Sequence, residues 1–441
     1  MDRKTRFVYI STRSALIFPV LIIVFLSLGC ITPSIPSEKG VYIPEDAYGV
    51  AHAGEKVHEY QFLERVGAQW VRQTFRWDNI NPEENEWNFR RFDHLMKLAD
   101  QHDKKVIAVL AYDVGWIHSE GKARRHIDRN QLKHYLEYVR RTVTRYKGRV
   151  DAWEIWNEPN VIFWKGPDRD FYALSAQTAA LIKSIDPHTP LLIGATFRVP
   201  GRFIQGLIDN GTLEKADALS IHPYGLNPEA AARLIEKACR IVHQTYPKKQ
   251  IWVTEVGYPT RGLYPTKAGG KTFPPYVIKT LTAAVTRGVR VTIWYRHFDK
   301  PTDSTFQKLC DSSRAFGLAD ASGQLKDGGR AFALFAQHTT GTNFDPNGVC
   351  SPASIQSALF RKNNEDAFLV VWLRNGDSET AMIELSPSAD LARHHPIEII
   401  ELHPETGSTT KCGTKWKDNL THMPRLFVIK NLGPSRIKIS T

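Results

Sequence analysis

Two carboxylates stand at the ends of apolar runs that otherwise have no use for charge. Glu158 closes WEIWNEPN (153–160), and Glu255 lies in WVTEVGY (252–258). Two carboxyl groups facing one cleft are what glycoside hydrolysis requires. One gives a proton to the leaving oxygen, and the other attacks or stabilises the oxocarbenium-like carbon. Asn157 sits beside the first and offers an amide to a sugar. Trp156 and a negative Glu255 would help Glu158 to keep its proton, one by apolar shielding and one by charge. Arg72, in WVRQTF (70–75), would keep Glu255 ionised if its guanidinium lay alongside. His222 and Tyr224, in IHPY (221–224), suit contact with a carboxylate or a sugar hydroxyl. Trp294, in IWYR (293–296), offers a ring face to a sugar, and Trp77, Trp116 and Trp164 are further platform candidates.

Each residue also has a plainer reading. Asn-Glu-Pro occurs as a turn or helix start. Glu255 suits a solvated loop, Arg72 a structural ion pair, and His222, Tyr224 and Trp294 an ordinary core. A zinc site built on His222 and Glu255 is disfavoured, because no paired-ligand spacing such as H-E-x-x-H occurs. No metal and no cofactor are expected.

These residues must be carried by elements that converge. Eight short apolar runs alternate with amphipathic segments: 48–54, 70–75, 106–112, 150–156, 191–197, 218–224, 251–256 and 289–296. Runs without a polar face belong to a parallel sheet buried on both sides. Between them, Leu132, Tyr135, Leu136, Val139 and Val143 form one helical stripe, as do Leu174, Leu181, Ile182 and Ile185 before the stop at Asp186-Pro187. Eight strand–helix units predict an α/β fold, a (β/α)8 TIM barrel, whose reactive residues gather at the C-terminal strand ends. A doubly wound sheet is the alternative, but no glycine-rich phosphate loop follows any strand. In a regular strand Asn157 and Glu158 face opposite ways, so bringing both to the mouth requires a bulge or bend. After residue 338 the helical period ends. Strand-like runs separated by Asn, Gly, Pro and Ser predict a small C-terminal antiparallel β-sandwich. The expected domains are a signal or anchor segment (1–29), a tether (30–40), the barrel (41–338) and the sandwich (339–441).

WEIWNEPN resembles the strand-4 motif of the clan A glycoside hydrolases. In that clan the Glu after Asn is the acid/base and a second Glu ending strand 7 is the nucleophile. The resemblance extends over WVRQTFRWDNINPEENEWNFRRFDHL (70–95), IHPY, IWYR and FGLADASGQLKDGGRAF (316–332). Within the clan the chain looks most like family 39, which holds β-xylosidases, α-L-iduronidase and exopolysaccharide endoglycosidases; family 5 is next. The resemblance implies a retaining hydrolase of an oligo- or polysaccharide. A carbohydrate-binding or scaffold lipoprotein on a silent barrel is the alternative.

The basic MDRKTR and the uncharged ALIFPVLIIVFLSLG (15–29) form a targeting or anchoring segment. Cys30 follows directly, and a Ser/Pro-rich stretch comes next, which resembles the lipid-attachment site and tether of a bacterial lipoprotein. An uncleaved anchor and plain secretion are the alternatives. All three place the body outside the cytoplasm, with membrane contact through lipid or anchor. The chain carries a formal net charge of +12, and dispersed basic residues suit either an anionic partner or simple solubility. No zinc-finger spacing, RNP-like stretch or basic heptad helix points to nucleic acid. Of the remaining cysteines, Cys239 reads as a buried free thiol, and Cys350 with Cys412 is the preferred pair over those involving Cys310.

Overall fold

The computed structural model describes residues 40–261, 270–302, 311–362, 366–374, 378–385 and 397–441. The segment expected at 1–29 and all of the tether expected at 30–40 except Gly40, with Cys30, and also Cys310, lie outside them.

The first strand, β1 (Val41–Ile43), precedes a closed barrel of eight parallel strands. These are β2 (Tyr48–Ala51), β3 (Trp70–Arg76), β4 (Lys105–Ala111), β5 (Ala152–Ile155), β6 (Leu191–Phe197), β7 (Ala218–His222), β8 (Gln250–Val256) and β9 (Thr292–Trp294). All eight apolar runs became barrel strands, because each is covered on both faces. Inside, Trp70, Ile107, Ala152, Leu192, Trp252 and Ile293 form an apolar floor. Outside lies a helical layer: α1 (Val57–Val66), α2 (Trp77–Ile80), α3 (Arg90–Gln101), α4 (Leu132–Tyr146), α5 (Asp168–Ile185), α6 (Gly201–Asp209), α7 (Thr212–Lys215), α8 (Pro228–Thr245), α9 (Phe273–Val285) and α10 (Asp327–Thr339). The α4 stripe buries Leu132, Tyr135, Val139 and Val143 as its period requires. The α5 helix stops at Ile185, directly before the Asp186-Pro187 pair.

The C-terminal region holds β10 (Thr342–Asp345), β11 (Val349–Cys350), β12 (Ile355–Lys362), β13 (Asp366–Leu373), β14 (Glu379–Leu385), β15 (Glu398–His403), β16 (Ser408–Gly413), β17 (Lys415–Leu420), β18 (Arg425–Lys430) and β19 (Ile437–Ser440). They form a seven-stranded sheet, in the order β1-β10-β12-β13-β18-β15-β16, and a four-stranded sheet, β11-β19-β14-β17. Leu359, Leu369, Ile383, Trp416, Phe427 and Ile439 fill the space between the sheets. The other face of the larger sheet meets the barrel: the ring of Phe335, on α10, contacts Phe360 at 5.9 Å and Phe368 at 6.0 Å.

Two expectations need correction. Val41–Ile43 pairs antiparallel with β10, so these residues belong to the larger sheet and not to the barrel. Cys350 and Cys412 do not form a disulfide; both are free. They lie on edge strands of different sheets, a separation that sequence alone does not reveal. Cys239 is also free, but half-buried, and burial pushes its thiol up to about 11.

Candidate active site

Above the apolar floor the barrel interior turns polar. Arg72 projects inward from β3 and is almost fully buried, and its three nitrogens are all in use. Nε donates to Glu154 Oε2 at 2.6 Å, Nη2 to Asn157 Oδ1 at 2.8 Å, and Nη1 to Glu255 Oε2 at 3.0 Å. The Glu154 and Glu255 charges raise the Arg72 pKa despite its burial. Tyr224 donates to the other oxygen of Glu255, Oε1, at 2.7 Å. Burial first, and Glu255 second, push the Tyr224 phenol well above its usual value, so it remains a donor.

Glu158 faces this carboxylate. Its Oε1 lies 2.9 Å from Nδ1 of the fully buried His222. One oxygen of Glu158, one of Glu255 and a ring nitrogen of His222 all fall within 4.8 Å of one another. Three such donors form the outline of a cation site. However, Arg72 and Tyr224 already occupy both oxygens of Glu255, and a guanidinium beside it opposes a second positive charge.

The bend required after Ile155 is present. Trp156 (φ 65°) and Glu158 (φ 46°) both adopt the left-handed region, unusual for non-glycine residues, and this turns Asn157 and Glu158 alike into the mouth. The amide of Glu158 is fastened to the carbonyl of Ala195 at 2.8 Å. Glu255 arrives by a different device. Trp252 lines the barrel floor, so strict alternation would turn Glu255 outward, but the β8–β9 register shifts between Val253 and Val256. Gly257 follows because a Cβ there would collide with the carbonyl oxygen of Tyr295.

The expected aromatics are placed differently. Trp294 is fully buried, and its ring meets Tyr258, Phe273 and Phe332 in the outer layer. Ile293 lines the barrel floor, so Trp294 points outward and cannot stack on a sugar in the mouth. Tyr295, next in sequence, packs against the interior cluster, with its ring 5.3 Å from His52 and 5.4 Å from Phe316. Trp77 is buried against Tyr138 of α4, and Trp164 against Trp156 and Phe171, which excludes both as open platforms; Trp116 is half-buried. The ring contacts of Trp156 are with Tyr112, Tyr135 and Trp164. The side-chain partner of Glu158 is thus His222 rather than that indole.

Four further residues complete the mouth. Glu154 is the buried partner of Arg72. His52 has its ring held neutral, down to about 3, by burial and then by Arg296, Arg72, His297 and Lys300. Tyr112 is pushed up to about 12, chiefly by burial. Tyr295 is the fourth. A polar or charged residue inside an otherwise apolar run, as in YGVAHAG and WEIWNEPN, was the available signal for the first two.

With this geometry in place, known proteins give the fold its relatives. A family 39 glycoside hydrolase from Bacteroides cellulosilyticus superposes with a TM-score of 0.69 at 19% identity, over 88% of this chain and 81% of that one. The fold is that of a clan A glycoside hydrolase. A family 39 β-xylosidase from Caulobacter crescentus shares it with a TM-score of 0.65 at 13% identity, over 89% of this chain and 98% of that one. The Glyco_hydro_42 family model, described as beta-galactosidase, matches residues 42–112. A beta-1,4-xylanase of Dictyoglomus thermophilum is 24% identical over 200 residues, 41% of this chain and 55% of its own length. The chain thus spans about half of that curated relative. The clan A resemblance, with family 39 foremost, agrees across sequence and fold.

Proposed function

We propose that the chain is a retaining glycoside hydrolase with Glu158 as acid/base and Glu255 as nucleophile. The observation that carries this reading is the approach of the two carboxylates, whose oxygens lie within 4.8 Å. That fits the separation of about 5–5.5 Å used for direct attack, not the about 6.5–9.5 Å that leaves room for an intervening water. Arg72 and Tyr224 fix the rotation of Glu255 from opposite sides and favour its charged form. His222 holds one oxygen of Glu158 and leaves the second for the leaving group.

In the first step a Glu255 oxygen bonds to the anomeric carbon as the glycosidic C–O bond breaks. The bonding pair goes to the leaving oxygen, which takes the proton of Glu158. In the second, Glu158 removes a proton from water, whose oxygen displaces Glu255 and restores both carboxyls. The substrate is an oligo- or polysaccharide. The names of the relatives, xylanase and β-xylosidase, support β-linked pentosans as first candidates.

Replacing each carboxylate tests the assignment. Glu255→Ala removes the nucleophile, so activity collapses on every substrate. Glu158→Ala spares the first step with an activated aryl glycoside while natural linkages fail. Azide then restores turnover of Glu158→Ala and gives a glycosyl azide of unchanged anomeric configuration. An inverted azide from Glu158→Ala would refute the assignment.

The same proposal places the body outside the cytoplasm, held by lipid on Cys30, in support of which stand the basic N-terminus, the apolar run and the Ser/Pro-rich stretch after it. Among the described residues no helix is long and apolar enough to cross a membrane. Cells fed a fatty-acid analogue should label the protein, and Cys30→Ser should abolish labelling. Equal labelling of both would sink the lipid assignment.

A further inference from the structure

The end of β6 is strained, yet it bears neither carboxylate. Ala195 (φ 41°) and Arg198 (φ 60°) both hold the left-handed region, which persists only where the surroundings over-determine it. Between them the β6–β7 register shifts, from Ile193 to Thr196, and Phe197 then pairs with His222. Leu192 lines the barrel floor an odd number of residues earlier, so strict alternation would turn Phe197 outward. The bulge reverses that facing. Phe197 points into the mouth, on the same side as the His222 ring that meets Glu158.

The backbone of Phe197 is fastened from two directions. Asn160, just beyond Glu158, accepts from the Phe197 amide at 2.9 Å and donates to its carbonyl at 3.0 Å. The next amide, of Arg198, donates to the His222 carbonyl at 2.8 Å. The ring itself is half-buried, belongs to none of the three apolar cores, and stacks on Tyr224 at 5.9 Å and 30°. A phenyl held this firmly and left partly open presents a flat apolar face to whatever enters the cleft. The segments that hold and stack on it carry further apolar surface: Ile162, soon after Asn160, is 65% exposed, and Leu226, soon after Tyr224, is 60% exposed.

The ring of strands divides the mouth into two arcs. Tyr295, His52 and Tyr112, which follow β9, β2 and β4, give one arc groups that suit sugar hydroxyls. On the other arc, between Glu158 and Glu255, His222 and Tyr224 are engaged with those carboxylates, and Phe197 is free to meet a ligand. The leaving oxygen departs on the side of the acid, away from the sugar whose anomeric carbon is attacked. We propose that Phe197 is the platform for the leaving-group sugar, so that the bond cleaved is one to a neutral pyranose laid flat against this ring. The proposal rests on the glycosidase reading and adds the substrate's second half to it. A pyranose presents C–H groups on its faces to such a ring, and Ile162 and Leu226 extend the apolar strip toward the rim.

The test compares leaving groups that share one glycone. Glycosyl fluorides of xylo-, gluco-, galacto- and manno-configured mono- and disaccharides release an ion too small to touch Phe197, whereas oligosaccharides that extend the same glycones by one sugar reach it. Both series are assayed with the wild-type protein, and the matched pairs that it hydrolyses are carried to the variants. In Phe197→Ala the ratio of kcat/KM for oligosaccharide over fluoride should fall by roughly ten-fold or more, as loss of a stacked ring implies. Phe197→Leu keeps apolar bulk without a flat face, which guards against a collapsed fold, and should lower the ratio too; Phe197→Tyr should preserve it. With the fluoride as donor, transfer to an added free sugar should also decline relative to transfer to water in Phe197→Ala, because the acceptor uses the same surface. An unchanged ratio would overturn the proposal. So would an equal loss on both series, which would make Phe197 a support for Tyr224 and Glu255. A wild type that hydrolyses fluorides but no oligosaccharide would keep the glycosidase reading and overturn the platform, whereas one that hydrolyses neither would defeat that reading and the platform with it.

Discussion

Arg72 joins Glu154 to Glu255: one guanidinium edge lies 2.6 Å from the first carboxylate and another corner lies 3.0 Å from the second. Glu154 is completely buried, and its Oε1 has no partner, so among the described residues Arg72 alone compensates its charge. Removing that cation strands a buried charge. Arg72→Ala should destabilise the barrel by about 3–5 kcal/mol. Thermal or denaturant unfolding checks this, and a loss under about 1 kcal/mol would show that Glu154 is not held as described. Arg72→Lys should fold better yet stay poorly active, because one ammonium cannot reproduce the fork to three acceptors.

Glu154→Gln keeps the shape of that side chain and removes its charge. Stability should change by no more than about 1–2 kcal/mol, since the amide oxygen still accepts from Arg72 Nε. Turnover should fall through misplacement of Arg72, mainly in kcat and less in KM. Unchanged kcat would reduce Glu154 to a filler of the barrel.

Tyr224→Phe removes one of the two donors on Glu255 while leaving the ring against Phe197 and Phe316. A lost hydrogen bond to a charged group corresponds to about 1.5–3 kcal/mol, or roughly ten- to a hundred-fold in kcat/KM. Circular dichroism should show an intact fold. Wild-type kinetics in this variant would mean that the phenol does not act on the carboxylate.

Trp294 and Tyr295 adjoin in sequence and should separate in experiment. Trp294→Ala empties a site in the outer core and should cost about 3–5 kcal/mol of stability. Tyr295→Ala should cost less stability and weaken kcat/KM by roughly ten-fold or more, as loss of a ring at the mouth implies. If the two variants exchange these phenotypes, the assigned facing of the eighth strand is wrong.

Acid should find Glu59. Burial alone would raise its carboxyl, but hydrogen bonds from His297 and from the Gly54 and Glu55 amides bring it down to about 2, below the ordinary 4.5. A folded value below the unfolded one means that the contribution is complete above pH 4.5 and lost as pH falls toward 2. Between those limits wild-type stability should drop more steeply than that of Glu59→Gln, by at most about 2 kcal/mol after allowance for solvent screening. Parallel curves would remove Glu59 from the acid response.

The barrel was legible because burial on both faces leaves eight runs with no polar side, and that signal survives in a single sequence. The two facing carboxylates, Glu158 and Glu255, were legible for the same reason in reverse, as charge placed where the pattern forbids it. What escaped depended on register. Trp294 was expected at the mouth as a strand-end tryptophan, but its neighbour Tyr295 is aromatic too, and only the pairing of β9 with β2 and β8 tells which faces inward. The edge strands β16 and β17 escaped because most of their side chains are exposed, which leaves STTKCG and KWKDNL without an apolar signature. The Cys350–Cys412 pairing failed for a related reason: membership of a sheet is a long-range fact.

The pairing of β1 with β10 bears on how this architecture can be exchanged or divided. A strand that precedes the barrel in the chain is an edge member of the sheet that follows it, so the boundary near residue 338 is not a seam. Cutting there would leave β1 without its ladder and would uncover Phe335, which packs on Phe360 and Phe368. Modular swapping of the accessory region between relatives therefore has to carry both flanks of the barrel together, and recombination at a single crossover point yields an incomplete sheet on one side and an unshielded helix on the other.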